Sequence, residues 1–276
     1  MQPSPPLRDG PSRRSFLQTA APGVLLALGL WPGRRAEAVE AAPPFRFIQV
    51  NDLHCHTPEC RAWLARVAAS MRERKPAFVL ACGDLTDAGG EERMTEVRDA
   101  FATIGAPVYA VPGNHDYLAP DDRSAYDRIF PDRLNHAFDH GGWHFVGLDT
   151  TEGQKYTQTM ISKATLDWAA AHARETDPAV PLVLFTHFPL GAGMPMRPLN
   201  ADALLEPFRK HNLQAVFGGH HHGFTETNER GVSFTTNRCC AISRQNHDGS
   251  VDKGYFLCTA GPRGLYREFV RVPENS

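Results

Sequence analysis

The chain has 276 residues, 42% of them hydrophobic and 22% charged, with a mean hydropathy of −0.37. That composition excludes disordered, fibrous and polytopic membrane proteins, and at roughly 100 to 200 residues per domain the length allows one large domain or two small ones. With 29 basic against 31 acidic residues the net charge is −2, so no basic surplus favours a nucleic-acid polymer or an anionic membrane surface.

The first predicted element is a leader over residues 1–38. Ser12-Arg13-Arg14-Ser15-Phe16-Leu17 precedes an apolar run from Ala20 to Trp31 and then Ala36-Glu37-Ala38, the outline of a signal peptide. The arginine pair ahead of Phe16 and Leu17 resembles the twin-arginine signal, an address read by the Tat translocase, with Gln18 where that pattern often has Lys. An uncleaved anchor is the competing reading, but the apolar run is shorter than the roughly 20 residues a bilayer span takes, so no stable membrane anchor is expected. Cleavage after Ala38 removes five Arg, one Asp and one Glu and leaves 24 basic and 29 acidic residues, a mature charge of −5. The expected location is the periplasm or the medium. All six cysteines follow the leader, in a chain long enough to fold without staples and with no zinc spacing. Cys82 and Cys258 sit in apolar runs and read as buried thiols, whereas Cys55 and Cys60 are close enough for a local bridge.

From Phe45 onward, short β-rich runs alternate with helical periodicity. FRFIQV (45–50), FVLAC (78–82), PVYAV (107–111), PLVLF (181–185) and LQAVF (213–217) have the length and composition of buried strands. Between them Leu64, Val67 and Met71, then Met94, Val97, Phe101 and Ile104, recur at helical spacing. Gly141-Gly142 predicts a hairpin and Asn228 to Gly231 a second turn between strands. The tail, KGYFLCTA and GLYREFVRV, reads as two more strands. Parallel and antiparallel signals with interleaved helices predict an α/β fold of two packed mixed sheets flanked by helices, as one domain over residues 39–276.

Five polar motifs stand where apolar strands end: Asp52-Leu53-His54, Gly83-Asp84-Leu85-Thr86-Asp87, Gly113-Asn114-His115-Asp116, Thr186-His187 and Gly219-His220-His221-His222. Strand ends are where open α/β sheets place ligands. A single Asp or His after a strand is ordinarily a turn-former or a satisfied polar group. Together these motifs offer carboxylates, imidazoles and one carboxamide but no thiolate, a donor set for Mn, Fe or Zn rather than copper or an iron–sulfur cluster. The glycines at 83, 113, 218 and 219 allow the tight turns that would bring the donors together.

In this order, the motifs DLH, GDLTD, GNHD, TH and GHHH resemble those of the calcineurin-like metallophosphoesterase superfamily, over residues 47–222. The resemblance implies a two-sheet sandwich flanked by helices. It also implies two divalent metal ions, Mn or Fe for preference and Zn as an alternative. Carried over by position, Asp52, His54, Asp84 and His222 would hold the first ion and Asp84, Asn114, His187 and His220 the second, with Asp84 bridging. Two dications against two carboxylates and a bridging hydroxide leave one positive charge for a phosphate oxyanion. Metals about 3.5 to 4 Å apart can activate a shared water and clamp the phosphoryl oxygens through an in-line displacement. His115, beside ligand Asn114, is then the candidate general acid for the leaving alkoxide, and Asp116 the carboxylate that orients and charges it.

Neighbouring residues receive plainer readings. Asp87 is expected to fix the loop or back a ligand. His221 would point away from its two neighbours if the segment were a strand. His56 reads as a solvated loop residue, and His136, His140, His144 and His247 as surface or hairpin residues. Substrate choice is expected in the loops Gly191 to Pro198 and Asn237 to Asp252, where Arg197, Arg238 and Arg244 are the cations that could approach a phosphate.

The function expected is an exported hydrolase of small phosphate esters, using direct attack by a metal-bridging hydroxide. The DxH opening and short format resemble the cyclic-nucleotide phosphodiesterase branch. Purple acid phosphatases share the later motifs but have a Tyr where Asp87 stands and no His at position 54, so a ferric-tyrosinate chromophore is not expected. Phosphodiester hydrolysis leads and phosphomonoester hydrolysis is the alternative. A scaffold that has lost catalysis would lack ligands, and here every ligand position is filled. A metal-storage module would need no general acid.

Overall fold

A computed structural model describes residues 43–274. The predicted leader and its arginine pair lie outside them. Eleven strands form two sheets: β1 (Phe45–Val50), β2 (Val79–Cys82), β3 (Val108–Val111), β10 (Gly254–Gly261) and β11 (Gly264–Arg271) in the order β11-β10-β1-β2-β3, and β4 (His136–His140), β5 (Trp143–Leu148), β6 (Leu182–Thr186), β7 (Leu213–Gly218), β8 (Thr225–Glu229) and β9 (Val232–Thr236) in the order β4-β5-β6-β7-β9-β8. Both sheets are mixed. β1, β2 and β3 run parallel while β10 and β11 close that sheet antiparallel. In the other sheet β5, β6, β7 and β9 run parallel, with the hairpin partners β4 and β8 antiparallel at its edges.

The period of two along each strand explains the layering. Phe47, Leu80, Cys82, Phe145, Val183, Phe185, Phe217 and Cys258 point between the sheets and form an aromatic-rich layer, with Phe47 and Phe78 stacked at 5.1 Å. Their strand neighbours Ile48, Val50, Val79, Ala81 and Leu257 face the opposite way, against helices α1 (Pro58–Glu73) and α2 (Glu91–Ala102). On the far side Leu182, Leu184 and Val216 pack with α4 (Lys163–Glu175) and α5 (Ala201–Leu205). α3 (Ser124–Ile129) joins α1 and α2 through Tyr126. The result is a helix–sheet–sheet–helix sandwich.

Helix α1 follows from its sequence: Pro58 opens it, Glu59 and Arg72 sit at the ends where the helix dipole favours their charges, and Cys60, Trp63, Leu64, Val67, Ala68 and Met71 make the buried stripe. The six cysteines are all buried free thiols, so the bridge expected between Cys55 and Cys60 is not formed. His136, expected as a surface or hairpin residue, stands on the hairpin strand β4 and is buried against Phe185, and burial lowers its pKa to about 3. No helix among the described residues is long and apolar enough to cross a membrane.

Candidate metal centre

The parallel strands β1, β2 and β3 of one sheet and β6 and β7 of the other deliver all five motifs to the same end of the sandwich. The loops that follow are tied to each other by backbone hydrogen bonds. Asp52 N–H donates to Gly83 O at 3.1 Å, His54 N–H to Asp84 O at 2.9 Å, and Gly219 N–H to His187 O at 2.8 Å. Asp52, His54, Asp84, His220 and His222 all have positive φ, between 42° and 64°. Non-glycine residues in that region cost of order 1 to 3 kcal/mol each and persist where the surroundings over-determine them. Two glycines make the packing possible: a Cβ on Gly113 would come within 2.2 Å of Asp84 N, and one on Gly219 within 2.9 Å of an Asp52 carboxylate oxygen.

Two deeply buried groups of donor atoms result, each able to hold a metal ion, beside a third, less buried group of His54, Asp87 and His115. Asp52, His54, Asp84 and His222 form one, and Asp84, His187 and His220 the other, with the donor atoms of each group within 4.8 Å of one another. Asp84 belongs to both. Its Oδ2 lies 3.5 Å from His54 Nε2 and its Oδ1 3.4 Å from His187 Nε2. Asn114 joins the second group through its Oδ1, 3.1 Å from His187 Nε2.

The tautomers argue that a cation belongs here. His54 Nδ1–H donates to Asp87 Oδ1 at 2.9 Å, His187 Nδ1–H to Cys82 O at 3.0 Å, and His220 Nε2–H to Tyr156 O at 2.8 Å. An imidazole whose proton is committed on one nitrogen presents a lone pair on the other. Those lone pairs point inward: His54 Nε2 faces His222 Nε2 at 3.0 Å, and His220 Nδ1 faces His187 Nε2 at 3.2 Å. Neutral acceptors so arranged beside two buried carboxylates form a donor set that could hold a metal ion.

Electrostatics agree with this donor role. Burial would raise the Asp52 pKa, but His222, His187 and His54 hold it well below the usual carboxylate range. Burial likewise works against ionised Asp84, whereas His187 and His54 favour it, and the net direction is down. Burial, reinforced by His187, lowers His220 to about 4, and burial lowers His54 as well, directions that favour the neutral, lone-pair form a metal donor needs.

The structure changes one role. Asp116 does not orient His115. Its carboxylate turns inward and accepts the backbone N–H of Gly113 at 2.9 Å, Thr86 at 2.9 Å and Leu85 at 3.2 Å, locking the loop after β2 to the loop after β3. Burial and the neighbouring Asp84 push its pKa up to about 7 despite those amides. The His115 ring is oriented through Asp87: Nδ1–H donates to the Asp87 carbonyl at 3.0 Å, and the Asp87 carboxylate stands 3.7 Å away. Asp87 therefore backs His54 and His115 at once.

Above the centre lies an open cleft of about 350 Å³, lined by Asp84, His115, His220 and His222 on its floor and by Tyr156, Met196, Arg244 and His247 on its walls. Both loops expected to surround a substrate reach it, through Met196 and through Arg244 and His247. His221 is not among the residues lining the cleft, and it follows β7 in a bend rather than standing on a strand. Of the wall residues, His247 was expected as a surface or hairpin residue, and nothing in the sequence singles out Tyr156. His247 is carried in by its N–H, which donates to His222 O at 2.8 Å, and Tyr156 sits on an irregular stretch that no periodicity marks.

A model of the calcineurin-like phosphoesterase family matches residues 45–224. A Synechococcus sp. protein described as a probable cyclic nucleotide phosphodiesterase is 25% identical over 75% of this chain and 80% of its own length. Glycerophosphodiester phosphodiesterase GpdQ of Enterobacter lignolyticus is 26% identical over 60% of this chain and 63% of its own. Among solved structures, a dimetal phosphatase from Danio rerio superposes with a TM-score of 0.62 at 14% identity, covering 83% of this chain and 99% of that one, a likeness of fold.

Proposed function

Because the chain belongs to the calcineurin-like phosphoesterase family, as a metal-dependent phosphoric ester hydrolase, we propose that it holds two divalent ions and cleaves small phosphodiesters outside the cytoplasm. The observation that carries the dinuclear reading is Asp84, whose two oxygens face two separate groups of donors. Asp52, His54 and His222 would complete one site and Asn114, His187 and His220 the other. The donor set without thiolates suits Mn, Fe or Zn rather than copper or an iron–sulfur cluster, and the family resemblance favours Mn or Fe among them. When bound, such ions supply an activated water and positive charge for the phosphoryl oxygens.

The chain's own residues do the rest. Asp87 and the Cys82 and Tyr156 carbonyls hold three ligand imidazoles in fixed tautomers and orientations. His115 has Nδ1 engaged by Asp87 and its remaining ring nitrogen available in the cleft, as a proton donor to a leaving oxygen must be. With an activated water supplied by the ions, no covalent phosphoenzyme is needed.

The diester preference is supported by the activities named for the Synechococcus and Enterobacter relatives. The metal-loaded protein should hydrolyse phosphodiesters or cyclic nucleotides with higher kcat/KM than matched monoesters. A panel of such esters with common leaving groups measures this, and faster turnover of the monoesters would make the protein a phosphatase instead.

Export rests on the arginine pair and the apolar run of the leader. Replacing both Arg13 and Arg14 by Lys should strand the precursor in the cytoplasm. Cell fractionation that finds the mature form in the periplasm at unchanged yield would remove the twin-arginine reading.

A further inference from the structure

Three arginines in or beside the substrate loops were candidates for a phosphate contact, and their surroundings separate them. Arg197 is spent on the fold: Nε–H donates to Leu190 O at 2.6 Å and Nη2 pairs with Asp202 at 2.8 Å. Arg238 pairs with Asp248 at 2.9 Å, lies over the Phe269 ring at 5.1 Å, and lines a different cavity with Phe224 and Phe256. Arg244 alone lines the cleft with Asp84, His115 and His222.

We propose that Arg244 is a substrate-binding residue, its guanidinium taking a non-bridging oxygen of the phosphate from a seat built by Asp87 and Lys253; this rests on the phosphoesterase reading of the cleft. Arg244 Nη2 pairs with Asp87 Oδ1, the oxygen that also holds His54 Nδ1–H. A guanidinium has five N–H donors in a rigid fork, so the pairing with Asp87 leaves others for a ligand. The side chain remains 37% exposed, open to the cleft.

The seat is constructed from below. Lys253 is 5% exposed, and its Nζ donates to Arg244 O at 2.6 Å and to Asn246 Oδ1 at 3.3 Å, with Cys239 Sγ at 3.1 Å. Asn246 in turn accepts Cys239 N–H at 3.0 Å and donates to Ser250 O and Asp252 O at 2.9 Å each. Trp63 on α1 donates to Cys240 O at 2.6 Å and ties the start of the loop to the helix layer. A buried amine and a buried amide spent on one loop backbone fix where Arg244 stands, and pre-ordered placement of this kind lowers the entropic cost of holding a ligand. Asp87 anchors the head group and, through His54 and His115, sets the guanidinium beside the reacting centre.

The test uses the metal-loaded full chain with Arg244→Ala and Arg244→Lys, measuring kcat and KM on a diester, competitive inhibition by inorganic phosphate, and metal content. Arg244→Ala should retain its metals, lower kcat/KM roughly 10- to 100-fold as expected for a lost charged hydrogen bond, and weaken phosphate inhibition in parallel. Arg244→Lys should recover part of both, because it restores the charge without the fork. Lys253→Met, if folded, should show the same loss in milder form. Unchanged phosphate inhibition with active wild-type enzyme would overturn the assignment, as would loss of metal in Arg244→Ala, which would make the residue a support for His54. A wild-type protein that is metal-loaded yet inert on every ester would instead sink the phosphoesterase reading of the cleft.

Discussion

Asp84→Ala should lose metal and activity together, and by more than any other single ligand replacement. The reason is geometric. One oxygen of Asp84 faces His54 at 3.5 Å, the other faces His187 at 3.4 Å, and the second also accepts the His115 backbone N–H at 2.9 Å. Removing the carboxylate takes a donor from both groups and halves the anionic charge that Asp52 and Asp84 supply. The fall in kcat/KM should exceed the roughly 10- to 100-fold that loss of an outer hydrogen-bond partner of a ligand costs. Asp87→Ala, which removes such a partner from His54 together with the anchor of Arg244, provides the comparison and should still keep more metal than Asp84→Ala. Elemental analysis after desalting decides the matter. Two tightly held ions per chain in Asp84→Ala would show that the carboxylate does not bridge.

The contrast between Asp84 and Asp116 shows what could be read in the chain and what could not. Candidate ligands such as Asp84 and His187 follow strands whose apolar runs are continuous, so both the strand and the polar break after it stand out in the sequence. Those runs match β1, β2, β3, β6 and β7 to within a residue at either end. Asp116 occupies an equally visible motif, yet its role depends on Gly113, Thr86 and Leu85 amides that meet only through the parallel pairing of β2 with β3. Spacing along the chain carries no trace of that meeting. The short helices α3 and α5 are too brief to show a hydrophobic period, and α4 buries Thr165, Ala169 and Ala173, small side chains with a faint apolar signal. Irregular loops hide the cleft walls for a related reason. Arg244 could be named as a candidate but not preferred over Arg197 and Arg238 until Lys253, Asn246 and Asp87 were seen to hold it.

His115→Ala should retain both metals and still be severely slowed, because metal binding is assigned to Asn114 and proton donation to its neighbour. The substitution spares the His115 backbone N–H that donates to Asp84 Oδ1 at 2.9 Å, so the shared carboxylate keeps its orientation. What disappears is a ring whose Nδ1–H is fixed by the Asp87 carbonyl at 3.0 Å and which stands 3.7 Å from the Asp87 carboxylate. Loss of a positioned general acid costs roughly 10²- to 10⁴-fold in rate. The size of the loss should depend on the leaving group. An alkoxide needs a proton as the ester bond breaks and should suffer the full effect, whereas a nitrophenolate departs as a stable anion and should suffer little. Single-turnover rates on an alkyl and a nitrophenyl ester, with metal content checked in the same samples, separate the two. Equal losses on both esters with metals intact would take the proton-donor role from His115 and leave it a residue that positions the substrate.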